Sequence, residues 1–446
     1  MTTTDRSLTA DVVIVGAGSA GCVLAERLSR NPDRTVVLLE RGPGGLPTPA
    51  DLELSRLPID DAAPHAVRHD TNLGVSAARG SALGGSSAVN GGYFLRWHRD
   101  DFGTWPAGWG LDAIADAYNE LDAPGGTMGV EPVADDELGD AGTAFERYWT
   151  ARVPVRPLAL RWPVVGLNRV PINRSGLARR SAADAYLVPA LSRPNLRVVT
   201  GCTVDRVASA GGTTVTGVHA GSLTVGACEV ILAAGTLGTA GILLRSELPA
   251  LDIGGRTDAR SLGAGEHRGL AVSYARRTPA GPGMVLPTVV HTDSGLEIRC
   301  YRDDFASYIR GLRAWGPIVE VAAMRHSAVR IVADGAAVRL AFDEPDPATA
   351  VALRTAAAEV VEMLRAPEFA DVVVPGSVRI ADRAGFSQHA WGTMPMGVRT
   401  DWLGGVYGVR GLRIVDGSIL PTSGRSGPHA TIMMMACRIG DVLAQR

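Results

Sequence analysis

The chain has 446 residues, of which 46% are apolar and 20% are charged, enough for a large buried core in two or three domains. The formal net charge of -2 gives no electrostatic reason to expect nucleic acid or an anionic membrane as a partner. All 44 basic residues are arginine, so no lysine can form a Schiff base, which excludes pyridoxal-phosphate enzymes.

The first predicted elements form a strand–helix–strand unit. An apolar run over residues 11–15 ends in glycines, as a buried parallel strand does. Apolar residues then recur at helical spacing between residues 20 and 28, and a second buried strand follows over residues 35–40. This is a βαβ unit, the first piece of a parallel sheet.

The turn of this unit carries the pattern Gly16-x-Gly18-x-x-Gly21. The spacing alone is a weak signal, because 54 of the 446 residues are glycine. Its position strengthens it: the pattern follows a strand, opens a helix, and is followed by Glu40 at the end of the second strand, where a carboxylate can bind ribose hydroxyls. The sequence therefore predicts a dinucleotide site. The predicted contacts here are Gly16, Gly18, Ser19, Ala20, Gly21 and Glu40.

A second segment rich in glycine and serine, residues 79–93, decides which dinucleotide is expected. Its Arg79-Gly-Ser-Ala-Leu-Gly-Gly-Ser-Ser-Ala-Val-Asn90 stretch resembles the Gly-Arg-x-Leu-Gly-Gly-Ser-Ser-x-x-Asn signature of the glucose-methanol-choline (GMC) flavoprotein oxidoreductases. The resemblance implies FAD rather than NAD. The cofactor contacts that it implies in this segment are Gly85, Ser86, Asn90 and Gly91.

Other stretches are similar to the same family in the proper order. They lie at residues 105–109, 181–204, 233–244 and 411–421. The resemblance places Val204 on an adenine-contacting strand and Asp416 and Gly417 beside the pyrophosphate. Residues 426–434 resemble a further family segment, and Thr431 within it is expected to be another cofactor contact.

Residues 266–380 resemble the family poorly and show a different pattern. Short strand candidates follow one another between residues 270 and 342 without intervening helices, including separate strands at 318–323 and 329–332, which predicts an antiparallel sheet. An amphipathic helix over residues 347–364 follows. The expected fold is α/β, with a Rossmann-like FAD-binding domain built from discontinuous segments and an inserted α+β substrate domain containing this sheet. The predicted segments are 8–110, 181–265 and 381–446 for the FAD-binding domain, and 111–180 and 266–380 for the substrate region.

Two of the nine histidines lie in stretches that resemble the catalytic segments of the family. Oxidation of an alcohol needs a base for the hydroxyl proton, and histidine suits that role near neutral pH. The resemblance makes His389 the base and His429 the partner that orients the alcohol oxygen. His267 is expected to be structural. The other histidines are expected at the surface or in loops: His65, His69, His98, His219, His291 and His326. Arg174, Arg179 and Arg180 are expected on a solvated face.

The short chain and the segment from Gly85 to Phe94 resemble the actinobacterial branch of the family associated with mycofactocin. This narrower resemblance implies a dehydrogenase that re-oxidises mycofactocinol and passes electrons to a respiratory acceptor. Oxidation of a small primary alcohol, a hydroxynitrile-type lyase with FAD as a spectator, and a non-catalytic redox partner stay open. Val89 stands where some relatives carry a histidine that is covalently bound to the flavin, so the FAD is expected to be non-covalent.

Five scattered cysteines without metal-ligand or CxxC spacing predict no metal site and favour a reducing compartment. The first residues lack the apolar stretch of a secretion signal, and no apolar run reaches the ~18 residues needed to span a bilayer. The sequence therefore predicts a cytoplasmic chain without a transmembrane segment, with peripheral contact at the inner face of the cell membrane left open.

Overall fold

The computed structural model describes residues 6–251 and 260–446. The strands are β1 Arg6–Val15, β2 Val36–Leu39, β3 Ala66–His69, β4 Ala77–Gly80, β5 Val130–Pro132, β6 Gly166–Arg169, β7 Pro171–Ser175, β8 Ala178–Arg179, β9 Leu196–Val199, β10 Arg206–Ala210, β11 Thr214–Ala220, β12 Leu223–Leu232, β13 Ser261–Ser273, β14 Thr288–His291, β15 Leu296–Cys300, β16 Ile318–Asp334, β17 Ala337–Phe342, β18 Arg379–Ile380, β19 Gly385–Phe386 and β20 Leu412–Ile414. The helices are α1 Ser19–Leu28, α2 Pro49–Leu52, α3 Leu111–Asp122, α4 Gly139–Thr150, α5 Val188–Ala190, α6 Gly235–Arg245, α7 Pro347–Arg365 and α8 His429–Ala444.

The first sheet has seven strands in the order β10-β11-β12-β1-β2-β9, with β20 also paired to β12. The pairs of β1 with β12 and β2, of β2 with β9, and of β12 with β20 are parallel, whereas β10, β11 and β12 are antiparallel. Strands from residues 6 to 414 thus complete one sheet. This confirms the prediction that its members come from distant parts of the chain.

The centre of this sheet is buried on both faces, which explains its uninterrupted apolar sequence. Val13 and Ile14 of β1 and Leu38 of β2 have no exposed surface. Helix α1 packs against the C-terminal helix α8, and Gly440 allows the approach, because an added Cβ there would lie 2.9 Å from Arg27 Cγ. The N-terminal turn and the C-terminal helix are therefore held against each other.

The second sheet is antiparallel and has eight strands in the order β18-β13-β16-β15-β14-β6, with β17 paired to β16 and β19 to β13. Its apolar face packs on α7, whose Leu353, Ala357 and Val360 are buried. The predicted mixed α/β fold with a second, antiparallel sheet is confirmed. The proposed boundary between residues 265 and 266 falls inside β13, and residues 252–259 of the segment 181–265 lie outside the described residues.

One prediction about this sheet is wrong: residues 318–323 and 329–332 belong to a single strand, β16. The register shows why the pattern appeared interrupted. Glu266 of β13 pairs with Ser327, but Arg268 pairs with Ala323, so that residues 324–326 of β16 stand opposite the single residue His267. Such a bulge breaks the alternation of side chains and re-aims the residues beside it. The hairpin predicted at Gly335 joins β16 to β17, with Gly335 at φ +57°.

None of the helices among the described residues is long and apolar enough to cross a membrane.

Candidate active site

A cavity of about 760 Å³ lies where the two sheets meet. One side is formed by residues at the carboxyl ends of β1 and β2 and just after β12, the edge at which open α/β sheets bind ligands. The other side is formed by residues of β13, β15 and β16. The volume falls within the ~300 to 1,000 Å³ range of ligand and cofactor sites.

The three glycines of the first turn have different tasks. Gly16 has φ +100°, and an added Cβ would lie 2.6 Å from the Ala233 oxygen, while a Cβ on Gly21 would lie 1.8 Å from the Gly16 oxygen. Both glycines therefore permit close packing of the backbone. Gly18 lines the cavity, and the space beside it is open. The atom nearest to the position of a Cβ added on Gly18 is Gly85 Cα, at 3.9 Å. Ser19 and Ala20, at the N-terminus of α1, also line the cavity, whereas Gly21 does not.

Glu40 lies at the cavity wall and also holds the glycine turn in place. Its Oε2 accepts a hydrogen bond from the Ala17 N–H at 2.8 Å, and its Oε1 accepts one from the Gly42 N–H at 2.9 Å. Burial raises the pKa of this carboxyl above its ordinary value. Each oxygen keeps a lone pair, so the predicted contact with ribose hydroxyls is compatible with this arrangement.

The second glycine-rich segment packs directly on the first turn. The Gly84 N–H donates to the Ala17 oxygen at 2.8 Å, and Gly85 has φ +52° with an added Cβ only 2.6 Å from Gly18 Cα. Ser86, Asn90 and Gly91 line the cavity beyond this contact. Residues of both glycine-rich segments thus line the cavity side by side at the N-terminus of α1, a kind of site that suits an anionic pyrophosphate.

The C-terminal residues predicted from the family divide into two groups. Val204, Asp416 and Gly417 line the cavity, and Asp416 is fixed by hydrogen bonds from Thr239 Oγ1 at 2.6 Å and the Ser418 N–H at 2.7 Å. The side chain of Thr431, which was predicted as a cofactor contact, points away from the cavity. Thr431 is fully buried, its hydroxyl lies 2.7 Å from the Tyr118 hydroxyl of α3, and it does not line the cavity.

His389 lines the cavity and has a second imidazole directly beside it. Its Nδ1 lies 3.1 Å from Nδ1 of His267, which stands opposite the bulge of β16. The residue before it, Gln388, has φ +63°, a conformation that non-glycine residues rarely adopt and that is typical of functional segments. Burial, with the neighbouring His267 as the next cause, holds the pKa of His389 well below its ordinary value of 6.5. The ring is therefore neutral at neutral pH.

His429 is the first residue of α8 and also lines the cavity. Asn90 Oδ1 accepts from the Gly92 N–H at 3.0 Å, so the amide NH2 of Asn90 faces His429 Nδ1 at 3.3 Å. His429 Nδ1 is consequently the acceptor and Nε2 carries the hydrogen. Among the described residues, Nε2 has no hydrogen-bond partner, and burial lowers the pKa of His429 to about 4.

A buried carboxylate that the sequence did not indicate holds the backbone of His267 and His389. Glu266 Oε1 accepts from the N–H groups of His267 and His389, both at 2.8 Å. Burial raises the pKa of Glu266 to about 7, opposed by the nearby Arg79. The ionised form of Glu266 accepts these two hydrogen bonds more strongly than the neutral form, so it holds the backbone that carries both rings.

We expect the rate of substrate oxidation to fall as the pH drops through about 7. Protonation of Glu266 weakens the hydrogen bonds that its carboxylate accepts from the backbone N–H groups of His267 and His389, and these bonds position the His389 ring. In Glu266→Gln, kcat/KM should be low and nearly independent of pH between about 6 and 8, because the titrating carboxyl is gone. Profiles of kcat/KM against pH for both proteins, with the exposed Glu362→Gln as control, check this. A decline near pH 7 that persists in Glu266→Gln would contradict the assignment.

Several other polar residues were misplaced by the sequence pattern. His69, His98 and His291 are buried at 6%, 5% and 2% exposure, contrary to the expectation of surface positions, and the side chain of His326 lies outside the described residues. Arg179 is also buried rather than solvated. Its guanidinium donates to the carbonyl oxygens of Leu52, Glu53, Arg56 and Asn90, so it fastens the second glycine-rich segment to α2 and the residues that follow it.

Comparisons with known proteins agree with the resemblance seen in the sequence. The family model of the GMC oxidoreductase N-terminal region matches residues 10–260, and that of the C-terminal region matches residues 333–436. A GMC-type oxidoreductase from the thcA 5' region of Rhodococcus erythropolis is 32% identical over 97% of this chain and 98% of its own length. Pyridoxine 4-oxidase of Microbacterium luteolum is 31% identical over 53% of this chain and 52% of its own length.

The fold has solved counterparts. The crystal structure of pyridoxine 4-oxidase from Mesorbium loti superposes with a TM-score of 0.84 at 22% identity, covering 98% of this chain and 99% of that one. This likeness shows the fold, and the two family models together with the Rhodococcus relative show the family. The chain belongs to the GMC oxidoreductases, whose members are FAD-dependent enzymes that act on CH–OH groups.

Proposed function

We propose that the protein oxidises an alcohol to an aldehyde or ketone, with His389 taking the hydroxyl proton and His429 orienting the alcohol oxygen. The convergence of the two histidines on one cavity carries the proposal. An added Cβ on Gly427, two residues before His429, would lie 3.5 Å from His389 Cε1, and both rings line the cavity formed with the cofactor-binding segments. Two neutral imidazoles beside one alcohol can act as an acceptor and a donor of protons.

The hydrogen bonds of the two rings support this division of roles. Since His429 Nδ1 accepts from Asn90, its Nε2–H is available to donate to the alcohol oxygen and to stabilise negative charge on it. His389 acts as the base when its Nδ1–H donates to His267 and its Nε2 lone pair receives the hydroxyl proton. The position of His429 at the start of α8 adds the favourable end of the helix dipole to the same oxygen.

The residues present fit FAD, the cofactor of this family. Gly18 leaves open space at the N-terminus of α1, Gly85 lies too close to Gly18 to carry a side chain of its own, and Asp416 and Gly417 line the same cavity. Gly16, Gly18, Ser19, Ala20, Glu40, Gly85, Ser86, Asn90, Gly91, Val204, Asp416 and Gly417 would hold the cofactor. When bound, FAD supplies the acceptor for the hydride that leaves the carbinol carbon.

For the substrate, we favour reduced mycofactocin, with electrons passed on to a respiratory acceptor. The support is the similarity of the segment from Gly85 to Phe94 to the mycofactocin-associated branch, together with the short chain. The alternative is a small primary alcohol, for which the same two histidines would serve.

An anaerobic absorbance titration of the yellow protein with candidate alcohols, reduced mycofactocin among them, tests the proposal. Bleaching of the flavin by an alcohol, with formation of the corresponding carbonyl compound, is the expected result. Cleavage of a cyanohydrin without bleaching would identify a lyase instead. A purified protein without bound flavin would favour a non-catalytic redox partner.

The bound FAD is expected to dissociate from the denatured protein. Val89 lines the cavity at 5% exposure and has no nucleophilic atom with which to form a bond to the flavin. Acid precipitation should therefore leave all of the yellow colour in the supernatant. Flavin that remains in the washed pellet would refute the expectation.

A further inference from the structure

Strand β15 presents a row of polar side chains to the cavity. Glu297 and Arg299 of the strand, and Tyr301 just after its end, line the cavity, whereas Leu296, Ile298 and Cys300 point to the core on the opposite face. Arg299 pairs in register with Glu320 of β16, which lines the cavity as well. This wall therefore carries two carboxylates and one guanidinium.

The first carboxylate is already occupied. Glu297 Oε1 accepts from the Tyr93 hydroxyl at 2.6 Å and from His291 Nε2 at 3.0 Å, and Oε2 accepts from Arg299 Nε at 2.5 Å. His291 is itself held by a 2.7 Å contact between its Nδ1 and His98 Nε2. Glu297 thus orders the wall and has little capacity left for a ligand.

The second carboxylate has one oxygen to spare. Glu320 Oε2 accepts from Arg299 Nη1 and from the Tyr301 hydroxyl, both at 3.0 Å, but Oε1 accepts no hydrogen bond from any described residue. The neighbouring strand makes room for this oxygen, because a Cβ on Gly269 would lie 2.3 Å from it. Arg299 Nη1 also donates to Ser387 Oγ at 2.6 Å, two residues before His389, which ties this wall to the catalytic segment.

Apolar side chains surround this end of the cavity, among them Val285, Leu286, Phe305 and Ile318. A substrate that fills the space removes water from Glu320 Oε1. An acceptor that loses its water without gaining a new donor is costly, and for a carboxylate more so than for a neutral oxygen.

We propose that Glu320 Oε1 accepts a hydrogen bond from a second donor group of the substrate, so that the enzyme selects alcohols carrying a further hydroxyl or an ammonium group. The proposal rests on the proposed function, since it takes the reacting hydroxyl to lie at His389 and His429. Glu320 is then a specificity-determining residue and takes no part in proton or hydride transfer.

Matched pairs of probes test this with the FAD-loaded protein. Each α,ω-diol from propane-1,3-diol to hexane-1,6-diol is compared with its monomethyl ether, which has the same reach but cannot donate a hydrogen bond at the far end. The amino alcohol of the same chain length shows whether the site prefers an ammonium group to a second hydroxyl. Calorimetry gives the Kd, and anaerobic rapid mixing gives the rate of flavin bleaching. The diol or amino alcohol should bind at least ~10-fold more tightly than the ether at one or more chain lengths.

Glu320→Gln provides the decisive comparison. Arg299 can only donate, so the amide oxygen must take the place of Oε2 and the NH2 group the place of Oε1. A donor then replaces the acceptor, and the preference for the diol over the ether should vanish, while Glu362→Gln keeps it. Gly269→Ala, which forces Oε1 to move, should erase the preference as well and serves if Glu320→Gln does not fold.

Equal binding of diols, amino alcohols and ethers by the unmodified protein would overturn the inference, as would a preference that survives in both variants. A preference that depends on Glu320 but is accompanied by no flavin bleaching would leave the recognition standing and contradict the proposed oxidation.

Discussion

Replacing His389 by asparagine is expected to lower the rate at which an alcohol bleaches the flavin by about 100- to 10,000-fold, with FAD still bound. Asparagine can hydrogen-bond to the substrate, but its amide does not accept the hydroxyl proton near neutral pH. The backbone contact with Glu266 persists in the variant, because it involves only the N–H of residue 389. Loss of rate therefore reports loss of the base.

The matched control is His219→Asn, on β11 and away from the cavity. It should bleach at the unmodified rate. Anaerobic rapid mixing measures both variants directly, and flavin content is read from the absorbance of the purified proteins. Bleaching of His389→Asn at the rate of the unmodified protein would remove His389 from the mechanism.

Substituting Gly85 by alanine is expected to raise the Kd for FAD by at least ~100-fold, or to yield protein without flavin. The added Cβ would lie 2.6 Å from Gly18 Cα, closer than real Cβ contacts, so the two glycine-rich segments would have to separate where they are expected to hold the pyrophosphate. Alanine at φ +52° adds a strain of about 1 kcal/mol that is not specific to this site.

The control Gly221→Ala separates the effect of the steric clash with Gly18 from the effect of backbone strain. Gly221 has φ +57° with no atom within 4 Å of the Cβ position, so the control carries the same backbone cost without the contact. Equilibrium titration of flavin-free protein with FAD gives both Kd values. Similar affinities in the two variants would mean that the approach of the two segments does not matter for the cofactor.

The cofactor-binding half of the molecule was largely predictable because its determinants are local. The turn at Gly16–Gly21, with a buried strand on each side, needs only nearest neighbours in sequence to be recognised. The sequence also placed His389 and His429 in stretches similar to family segments, although it could not indicate that the Gly427 backbone lies against the His389 ring.

A helical projection of α8 would have shown that the Thr431 side chain does not face the same way as His429. At ~100° per residue, Thr431 points about 200° away from His429 on α8, so the two side chains cannot face the same cavity. The resemblance to the family segment did not indicate the direction of this side chain. The Tyr118 hydroxyl of α3 satisfies Thr431 instead.

The wall built by Glu297, Arg299 and Glu320 was beyond the sequence for a different reason. Alternating charged residues on a strand are typical of a face in contact with water. Only long-range contacts show that this face is buried instead. The partners of Glu297 and Arg299 include Tyr93 and Ser387, each about 90 residues or more away along the chain. The bulge opposite His267 likewise depends on the pairing of two strands separated by about 50 residues.

The most direct test of the central claim uses an alcohol that bleaches the flavin, prepared with hydrogen or with deuterium on the carbinol carbon. Removal of a hydride from that carbon predicts that the deuterated alcohol bleaches the flavin several-fold more slowly under anaerobic conditions and that the product is the carbonyl compound. Identical rates for the two alcohols when bond cleavage limits the reaction, or recovery of unchanged alcohol, would contradict it.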